Sequence, residues 1–487
     1  MPAIITNKFR IHNSKQFQES FSEAAGNVYY LGIGRPLPFT TSTRGDGRTD
    51  NLGTDVLPIT PADNINSESF TYDDLLAAKK ITATDVAFVA PRRNWVTGTT
   101  YDIYRHDYGE RITGTTTLQS ANSGVFNIFD ASFYVMNSAR NVYKCLDNDN
   151  NTASTVEPTG TNASTILSTA DGYKWKYMYT LSASEQSNFL STDFMPVSTN
   201  TSVSSNAVDG AIDIIKIKTA GSGGTDGTHT NIDIRGDGSG GKVSVTVTSG
   251  AVTAVTVTTA GTGYTFATIS NAQIVAAGAT NLVGAELDVI IPPKGGHGFN
   301  AIEEIGAFFV MTNTSLEGTE SANSGDVSVA NDFRRVCMIK DPNSGGSAAS
   351  ASTLRATSAI KLTGVSGSFA IDDKITQATT GAIGKVVEWD STNAILYYVQ
   401  TRHSNEGIDT NGNKVAFSAA NVISGATSGS ATPDTSHSAT TNNVVFNSGY
   451  SVPELDHDSG DVLYVENRAP ITRAADQTEN IKLIIEF

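Results

Sequence analysis

Charged residues are scarce in this chain, and cysteines and long apolar runs are scarcer. Asp, Glu, Lys and Arg make up 17% of the 487 residues, against 44 glycines. This composition favours β-structure with many turns over helical bundles. The net charge of −16 argues against a nucleic-acid partner, because binding phosphates requires clustered Lys and Arg. The hydrophobic fraction of 39% is enough for packed cores and argues against wholesale disorder.

The two cysteines, Cys145 and Cys337, each lie in an apolar, strand-like run. Two are too few for a disulfide framework, so we expect small buried side chains and synthesis in a reducing compartment. The N-terminal residues contain no signal-peptide core, and no segment offers 18 uninterrupted apolar residues. We therefore expect a protein made in a cytosol, with no membrane insertion of its own.

Two helices are predicted in the first 205 residues, where aromatic and charged side chains are mixed. The four-residue spacing of Phe17 and Phe21 predicts a helix over 13–25, with Asn13 or Ser14 as its N-cap. A second short helix is predicted over 71–80, with Leu75 and Leu76 facing inward. Five further runs are predicted as strands: VYYLGIG, DVAFVAPRRNW, FDASFYVMN, NVYKCL and YKWKYMYTL.

A repeat occupies residues 211–265, where the texture turns to Gly, Thr and Val. AIDIIKIKTAGSGGT (211–225) and AVTAVTVTTAGTGYT (251–265) share alternating β-branched residues and a T-A-G-[ST]-G turn. Two copies are too few for a solenoid, so we predict a compact duplicated β-unit.

A second Gly/Ser/Thr-rich region covers residues 346–445. Its segment 369–400 contains three alternating strands separated by turns, which predicts a small antiparallel barrel or sandwich. Residues 424–443 have little to bury and are predicted to form a mobile loop.

The predicted fold is mainly β, with an α+β domain formed by the two ends of the chain and a multi-domain antiparallel sandwich or barrel architecture with few short helices. The scaffold comprises 1–205 plus 446–487, with both termini in one domain. Residues 206–298 form a duplicated β insertion, 299–345 return to the scaffold, and 346–445 form a second insertion. Mixed composition on both sides of two low-complexity regions is the pattern that insertions leave.

Candidate metal sites are weak. The run from Asp147 to Asn151 has the oxygen ligands of a calcium loop, but Thr152 and Pro158 occupy positions where that loop requires Gly and Glu. A polar turn is therefore favoured. The group Asp456, His457, Asp458 and Asp461 could ligate a metal, although no other His or Cys is nearby in sequence.

Catalytic signatures are absent from the sequence. No GxSxG or HExxH motif occurs, and a structural turn is favoured around His297. The adjacent carboxylates Glu303-Glu304 and Asp372-Asp373 point to opposite faces if they lie on strands, so neither pair forms a dyad by itself. No enzymatic activity, cofactor or metal is predicted, although a glycosidase pair cannot be recognised from spacing alone.

The segment PRRNW (91–95) ends a predicted buried strand with two arginines and a tryptophan. Arg and Trp are enriched at protein interfaces, so Arg92, Arg93 and Trp95 are predicted interaction residues. The alternative is an internal anchor, with the tryptophan in the core.

The C-terminal run DVLYVENRAPITRAADQTENIKLIIEF (461–487) closely resembles the end of the baseplate wedge protein of T-even-type contractile-tailed bacteriophages, known as gene product eight. Six shorter motifs occur in the order that this family shows: TNKFR, GRPLPF, PRRNW, VYKCLD, DGYKWKYMY and FRRVCMIKDP. From the C-terminal run, six residues are taken as interaction residues: Glu466, Asn467, Arg468, Pro470, Asp476 and Gln477.

The resemblance implies a structural virion protein of the tail baseplate, assembled in the host cytoplasm. It implies a homodimer that contacts other wedge proteins and shifts when the baseplate triggers sheath contraction. Most of 206–330 and 346–445 has no counterpart in the family. Its repeats are similar to β-modules of cyanophage tail proteins, which suggests a cyanophage-like member.

One alternative is a tail module that binds a receptor or host surface glycan through the insertions, using aromatics expected to be exposed at Tyr264, Tyr397 and Tyr398. A polysaccharide-degrading enzyme has only the scatter of carboxylates in its favour. At the chain end, VLYV is predicted as a strand followed by a charged loop around Asn467. The run 481–487 is then predicted to be a domain-closing strand whose one apolar face carries Ile481, Leu483, Ile485 and Phe487.

Overall fold

The computed structural model describes residues 4–23, 26–43, 49–51, 53–112, 114–319, 326–328, 330–402, 406–473 and 478–487. Strands hold 41% of the residues and helices 11%, so the predicted mainly β class is confirmed. The chain divides into two compact units: unit 1 is 1–16, 87–311 and 484–487, and unit 2 is 17–86 and 312–483. The predicted boundaries divide the chain into more segments than these two units, and they stay a prediction.

The helices in the described residues are short: α1 (Asn7–Ser20), α2 (Ile65–Asp73), α3 (Ala183–Phe189), α4 (Thr201–Ser205), α5 (Asn271–Ala276), α6 (Ala301–Ile305) and one 3₁₀ helix (Ala83–Asp85). The described strands of the first 205 residues are β1 (Tyr29–Gly34), β2 (Thr41–Thr43), β3 (Thr49–Asn51), β4 (Leu75–Ile81), β5 (Val86–Pro91), β6 (Tyr134–Met136), β7 (Asn141–Asn148), β8 (Leu167–Ser168), β9 (Tyr173–Thr180) and β10 (Phe194–Pro196). Those of the repeat region are β11 (Ile214–Ser222), β12 (Gly227–Asp233), β13 (Arg235–Gly236), β14 (Lys242–Thr248), β15 (Ala251–Thr259), β16 (Ala267–Thr268) and β17 (Val283–Ile290).

The remaining described strands are β18 (Phe309–Thr319), β19 (Val327–Ser328), β20 (Phe333–Lys340), β21 (Asn343–Ser344), β22 (Ser347–Ala348), β23 (Thr353–Arg355), β24 (Ser358–Ser366), β25 (Lys374–Gln377), β26 (Ala382–Asp390), β27 (Ile395–Val399), β28 (Ile423–Gly425), β29 (Ser430–Pro433), β30 (Thr440–Thr441), β31 (Val444–Val445), β32 (Tyr450–Ser451), β33 (Asp461–Ile471) and β34 (Thr478–Glu486).

Helix α1 exists where the spacing predicts one, but it begins at Asn7 rather than near Asn13. Ser14 is not an N-cap; it lies inside the helix, and its hydroxyl donates to the carbonyl oxygens of Ile11 at 2.8 Å and Ala307 at 3.1 Å. Phe17 and Phe21 meet edge to face with ring centroids 5.1 Å apart, as side chains four residues apart on a helix do.

The prediction of a helix over 71–80 is wrong. Helix α2 starts earlier, where the Asn64 side chain accepts from the backbone N–H of Ser67 at 2.9 Å, and it ends at Asp73. Residues Leu75–Ile81 form strand β4, which lies between β1 and β23 in the sheet. Leu75 and Leu76 point to opposite faces and both are buried. A strand covered on both faces reads as an apolar run, which periodicity does not separate from a buried helix.

The described residues of unit 1 contain several separate apolar clusters. The four-stranded sheet β6-β7-β9-β8 is packed with aromatics, among them Trp175 stacked on Tyr173 with centroids 5.3 Å apart. Another cluster belongs to the repeat region, where β12, β14 and β15 form one sheet and β11 pairs with β17. The two copies of the repeat share a backbone conformation: Gly221 and Gly261 have φ of 70° and 68°, a region that favours glycine.

Unit 2 contains a five-stranded antiparallel sheet, in the order β23-β4-β1-β20-β33, and a barrel. The barrel follows the order β27-β26-β25-β28-β29-β24 and closes where β24 pairs with β27. The predicted barrel or sandwich is thus a barrel. Residues 424–443 contribute β29 and part of β28 to it, and Ala431 is buried in its core. The segment is predicted to be a mobile loop with little to bury; instead it contributes to two strands of the barrel and places one residue in the core.

The terminal strand is β34, which pairs with β18. Ile481 and Leu483 are buried, as the predicted alternation requires. In unit 1, the last residue is held at both backbone ends: the N–H of Phe487 donates to the Phe308 carbonyl at 3.1 Å, and its carbonyl accepts from the Arg10 guanidinium. No helix in the described part of the chain is long and apolar enough to cross a membrane.

Candidate interaction surface

Strand β33 is the outer strand of the five-stranded sheet in unit 2. Within the described residues it pairs only with β20, and it carries four of the predicted interaction residues. The predicted loop around Asn467 is therefore wrong: the strand continues through Pro470 to Ile471. Pro470 is compatible with this position because an edge strand has one side whose N–H groups need no partner within the sheet.

Exposed apolar side chains occur on this edge strand and in the segment that leads into α2. Leu463 on β33 is 49% exposed, and Val56, Leu57, Ile59 and Ile65 in the segment before and at the start of α2 are also exposed. Ile59 and Leu463 line one groove of about 350 Å³. We call β33 and these four residues of segment 56–65 the edge surface. Scattered exposed apolar residues are ordinary, but a groove shared by Ile59 and Leu463 at an unpaired strand edge is typical of a docking site.

Asn467 fastens the two parts of the edge surface together. Its Nδ2 donates to the Ile59 carbonyl at 3.0 Å, and its Oδ1 accepts from Arg335 Nε at 2.9 Å. Arg335 is fixed in turn by the buried Asp74, whose carboxylate accepts from Arg335 Nη1 at 2.7 Å and from Arg35 Nη1 at 3.4 Å. Each member of this chain of hydrogen bonds restrains the next, so the edge surface is preorganised.

The other predicted residues of the C-terminal run lie on or beyond β33. Glu466 accepts from the Tyr464 hydroxyl at 2.8 Å. Burial, together with this bond, raises the pKa of Tyr464 to about 12. Arg468 is half-buried on the same strand. Asp476 and Gln477 lie outside the described residues.

The PRRNW segment lies in unit 1 and makes internal hydrogen bonds. Arg92 Nη1 donates to the Ser191 carbonyl at 2.8 Å. Arg93 donates to three successive carbonyls, those of Phe129, Asp130 and Ala131, and its guanidinium lies 4.6 Å from the centre of the Tyr134 ring. Trp95 Nε1 donates to Ser154 Oγ at 3.1 Å, and its ring packs on a buried cluster. These contacts favour the internal-anchor alternative; an intermolecular role stays a prediction.

The aspartates considered as metal ligands form ion pairs and hydrogen bonds within the chain. Asp147 pairs with Lys216 at 2.7 Å, and Asp456 accepts from the backbone of Gly345 and Gly346. No group of three or more His, Cys, Asp or Glu in the described residues is placed to hold a metal. Both cysteines are free and buried, as predicted, and burial raises the pKa of each thiol.

The tyrosines expected to be exposed are buried. Tyr264, Tyr397 and Tyr398 are 2%, 3% and 6% exposed. Tyr264 closes the repeat-region core, where its hydroxyl donates to the Ile234 carbonyl at 3.0 Å. The alternation that marks these segments as strands does not indicate which face is covered, so the expectation of exposure is wrong.

Two buried charge clusters carry no signal in the sequence. In unit 2, Asp73 accepts from His457 at 2.8 Å, Lys414 at 2.9 Å and Arg402 at 3.0 Å. Burial opposes its ionisation, but these three partners together hold its pKa well below the usual range. In unit 1, the fully buried Lys144 donates to Glu304, which also accepts from the Gly298 backbone at 2.9 Å. Both clusters join residues far apart in the chain, so spacing gives no sign of them.

One family model, described as Phage-Gp8: Bacteriophage T4, Gp8, matches residues 3–213 and 412–487, well over half of the chain. The match includes β33, the segment 56–65 and PRRNW, and it leaves 214–411 unmatched. No curated protein matches the chain.

Proposed function

We infer the function of this chain from one premise, its membership of the family: it belongs to the Gp8 family of bacteriophage T4. It is therefore a structural component of a phage tail baseplate wedge, with other baseplate proteins as its partners. The family is structural rather than enzymatic. The cyanophage-like character stays a prediction.

We propose that the chain dimerises and that the edge surface is where a second copy docks. The observation that carries the proposal is the groove that exposed Ile59 and Leu463 share at an unpaired strand edge. Homodimer interfaces are more apolar than other contacts. The order Glu466-Asn467-Arg468 is also self-complementary: a two-fold axis near Asn467 would bring Glu466 of each copy towards Arg468 of the other.

The dimer then contacts other wedge proteins during assembly in the host cytoplasm, and it shifts with the rearrangement that triggers sheath contraction. Strand irregularities and Pro470 support docking through side chains rather than continuous strand addition. The pairing of β33 with β20 shifts its register twice, between Phe333 and Arg335 and between Met338 and Ile339 of β20. Such bulges guard an edge against indiscriminate pairing.

Light scattering on the purified protein tests the dimer, and a strictly monomeric species at high concentration would contradict it. Cross-linking mass spectrometry on intact virions then identifies the neighbours. We expect cross-links from Lys79 or Lys80 on β4 and from Lys340 on β20 to remain within the chain. Cross-links across the two-fold axis should join carboxylates such as Glu466 to partner amines.

The second candidate function is binding of a host surface glycan by the inserted regions. Because Tyr264, Tyr397 and Tyr398 are buried, any saccharide contact has to use other residues. Glycan-array binding that maps to 206–298 would favour this function, and deletion of 346–445 with normal virion assembly would support surface decoration by that region.

A further inference from the structure

A wide polar groove in unit 1 is formed jointly by the family-matched and unmatched parts of the chain. Its volume is about 980 Å³. One wall comes from residues 103–122 and 148–151, which the family model matches; the other comes from β11, β17 and residues 265–267, which it does not. The groove therefore exists because the repeat region packs beside the matched segment.

Most charged side chains in this groove are paired; Glu110 and Arg111, which also line it, are exposed neighbours of opposite charge and add no net charge. Arg105 is buried and forms a two-point bond with Asp107 at 2.8 and 2.7 Å, and its remaining nitrogen lies 2.8 Å from Asp288. These two carboxylates raise the pKa of Arg105 in spite of its burial. Lys216 and Lys218 are likewise paired, with Asp147 at 2.7 Å and with Glu286 at 3.1 Å. A ligand meets paired charges rather than a net field of either sign.

Amide side chains supply the free hydrogen-bonding groups. Asn122 and Asn150 line the groove and are exposed. Their amides make no hydrogen bond within the described part of the chain. Each amide offers two donors and an acceptor, so the pair suits a ligand whose groups both donate and accept.

The backbone that presents Asn150 is unusual. Asp149, Asn150 and Asn151 have φ of 46°, 58° and 66°, three consecutive non-glycine residues in the left-handed region. Such residues normally occur singly, and strained backbone of this kind clusters at binding sites. The turn is fixed by Asn148, which donates to the Tyr101 carbonyl at 2.9 Å and to Asn151 Oδ1 at 2.8 Å.

An aromatic ring stands at the rim of the groove. Phe266 is 64% exposed, and Asp237 fixes its backbone by accepting from the N–H groups of Thr265 at 2.9 Å and Phe266 at 3.0 Å. A flat apolar ring beside polar amides fits a ligand with one C–H-rich face and hydroxyls at its edge.

We propose that this groove binds an uncharged saccharide chain. Pyranose rings combine a C–H face, which suits Phe266, with hydroxyls that donate and accept, which suit Asn122 and Asn150. A nucleotide or an acidic sugar requires a cluster of unpaired cations. Here Lys216, Lys218 and Arg105 are paired, and Arg111 lies next to Glu110. The open groove accommodates several rings. This inference rests on the second candidate function and is independent of the wedge role.

The test is a microarray of neutral and acidic bacterial surface saccharides probed with the full-length protein, followed by calorimetric titration with the strongest neutral hit. We expect binding confined to neutral saccharides. Binding only to acidic saccharides, or to none, would overturn the proposal. The same preparation is checked for dimers by light scattering, so loss of saccharide binding and loss of the wedge role are read separately.

Variants place the binding in the groove. Phe266→Ala should raise the Kd about tenfold, because the ligand loses its contact with the flat aromatic ring. Asn150→Gly should raise it severalfold; glycine removes the amide and tolerates the left-handed backbone. Phe126→Ala is the matched control, an exposed phenylalanine of unit 1 that does not line the groove. Equal Kd for Phe266→Ala and the control would contradict the proposal, and far-ultraviolet circular dichroism verifies folding of each variant.

Discussion

Two regions carry the same kinds of residue and use them in opposite ways. The PRRNW segment has two arginines whose guanidinium groups donate to carbonyls of the same unit, so their hydrogen-bonding capacity is used internally. The edge surface has a strand with one partner and exposed apolar side chains beside it. Interface-type residues such as arginine and tryptophan indicate an interface only where the fold leaves part of the surface around them exposed. Arg93 stabilises unit 1, whereas Leu463 is available to a second copy.

The largest expected effect is on association, from Leu463→Glu. A carboxylate at the centre of an apolar contact should weaken self-association about a hundredfold. Melting temperature should be nearly unchanged because Leu463 is half-exposed in the monomer. Sedimentation equilibrium measures the self-association constant, and calorimetry measures the melting temperature. Val445→Glu, at an exposed valine of the β30–β31 hairpin, is the control; if it weakens association equally, the edge surface has no special role.

Arg93→Ala should act on stability instead. It removes a charged donor from three carbonyls and leaves the buried carbonyl of Ala131 without this partner. We expect a loss of about 2 kcal/mol in the free energy of unfolding, with the dimer constant unchanged. Denaturant unfolding measures the loss, and Arg92→Ala, with fewer acceptors, should lose less. A stable Arg93→Ala protein that fails to enter virions would instead assign an intermolecular role to the PRRNW segment.

Asn467→Ala should weaken self-association about tenfold, because the segment containing Ile59 loses its hydrogen bond to β33. The fold should lose less than the association does, since Arg335 keeps its bond to Asp74. Asn467→Asp is the paired variant: it retains an acceptor for Arg335 but cannot donate to Ile59. If Asn467→Asp associates normally, the Ile59 bond is irrelevant to docking.

Pro470→Val should have the smallest effect. Restoring an N–H to an edge strand makes it a better template for pairing. We expect a few-fold rise in large aggregates on storage, detected by light scattering, with the dimer constant unchanged. Val462→Thr, which alters β33 without adding a backbone donor, should not aggregate; aggregation of both variants would point to general destabilisation of the strand.

Much of the fold follows from local pattern. The spacing of Phe17 and Phe21 predicts α1, and alternation predicts β11, β15 and the barrel strands. The misassignments have physical causes. Strand β4 is buried on both faces and reads like a helix, while charged residues and Pro470 make half of β33 read like a loop.

The candidate site was only partly predictable. Family resemblance selected Glu466, Asn467, Arg468 and Pro470, but not Leu463 or the segment 56–65 beside them. The bond between Asn467 and Ile59 joins residues about 400 positions apart, and nothing in local sequence encodes that pairing. Likewise, the three carbonyls that accept hydrogen bonds from Arg93 come within its reach only when the chain around Ala131 folds beside it.

Hydrogen exchange on the monomer and the dimer, read by mass spectrometry, tests the central claim most directly. If the edge surface is the docking site, amides of β33 and of residues 56–65 gain protection on association, while those of 91–95 exchange equally in both states. Unchanged exchange along β33, with protection gained at Arg92–Trp95, would contradict the account.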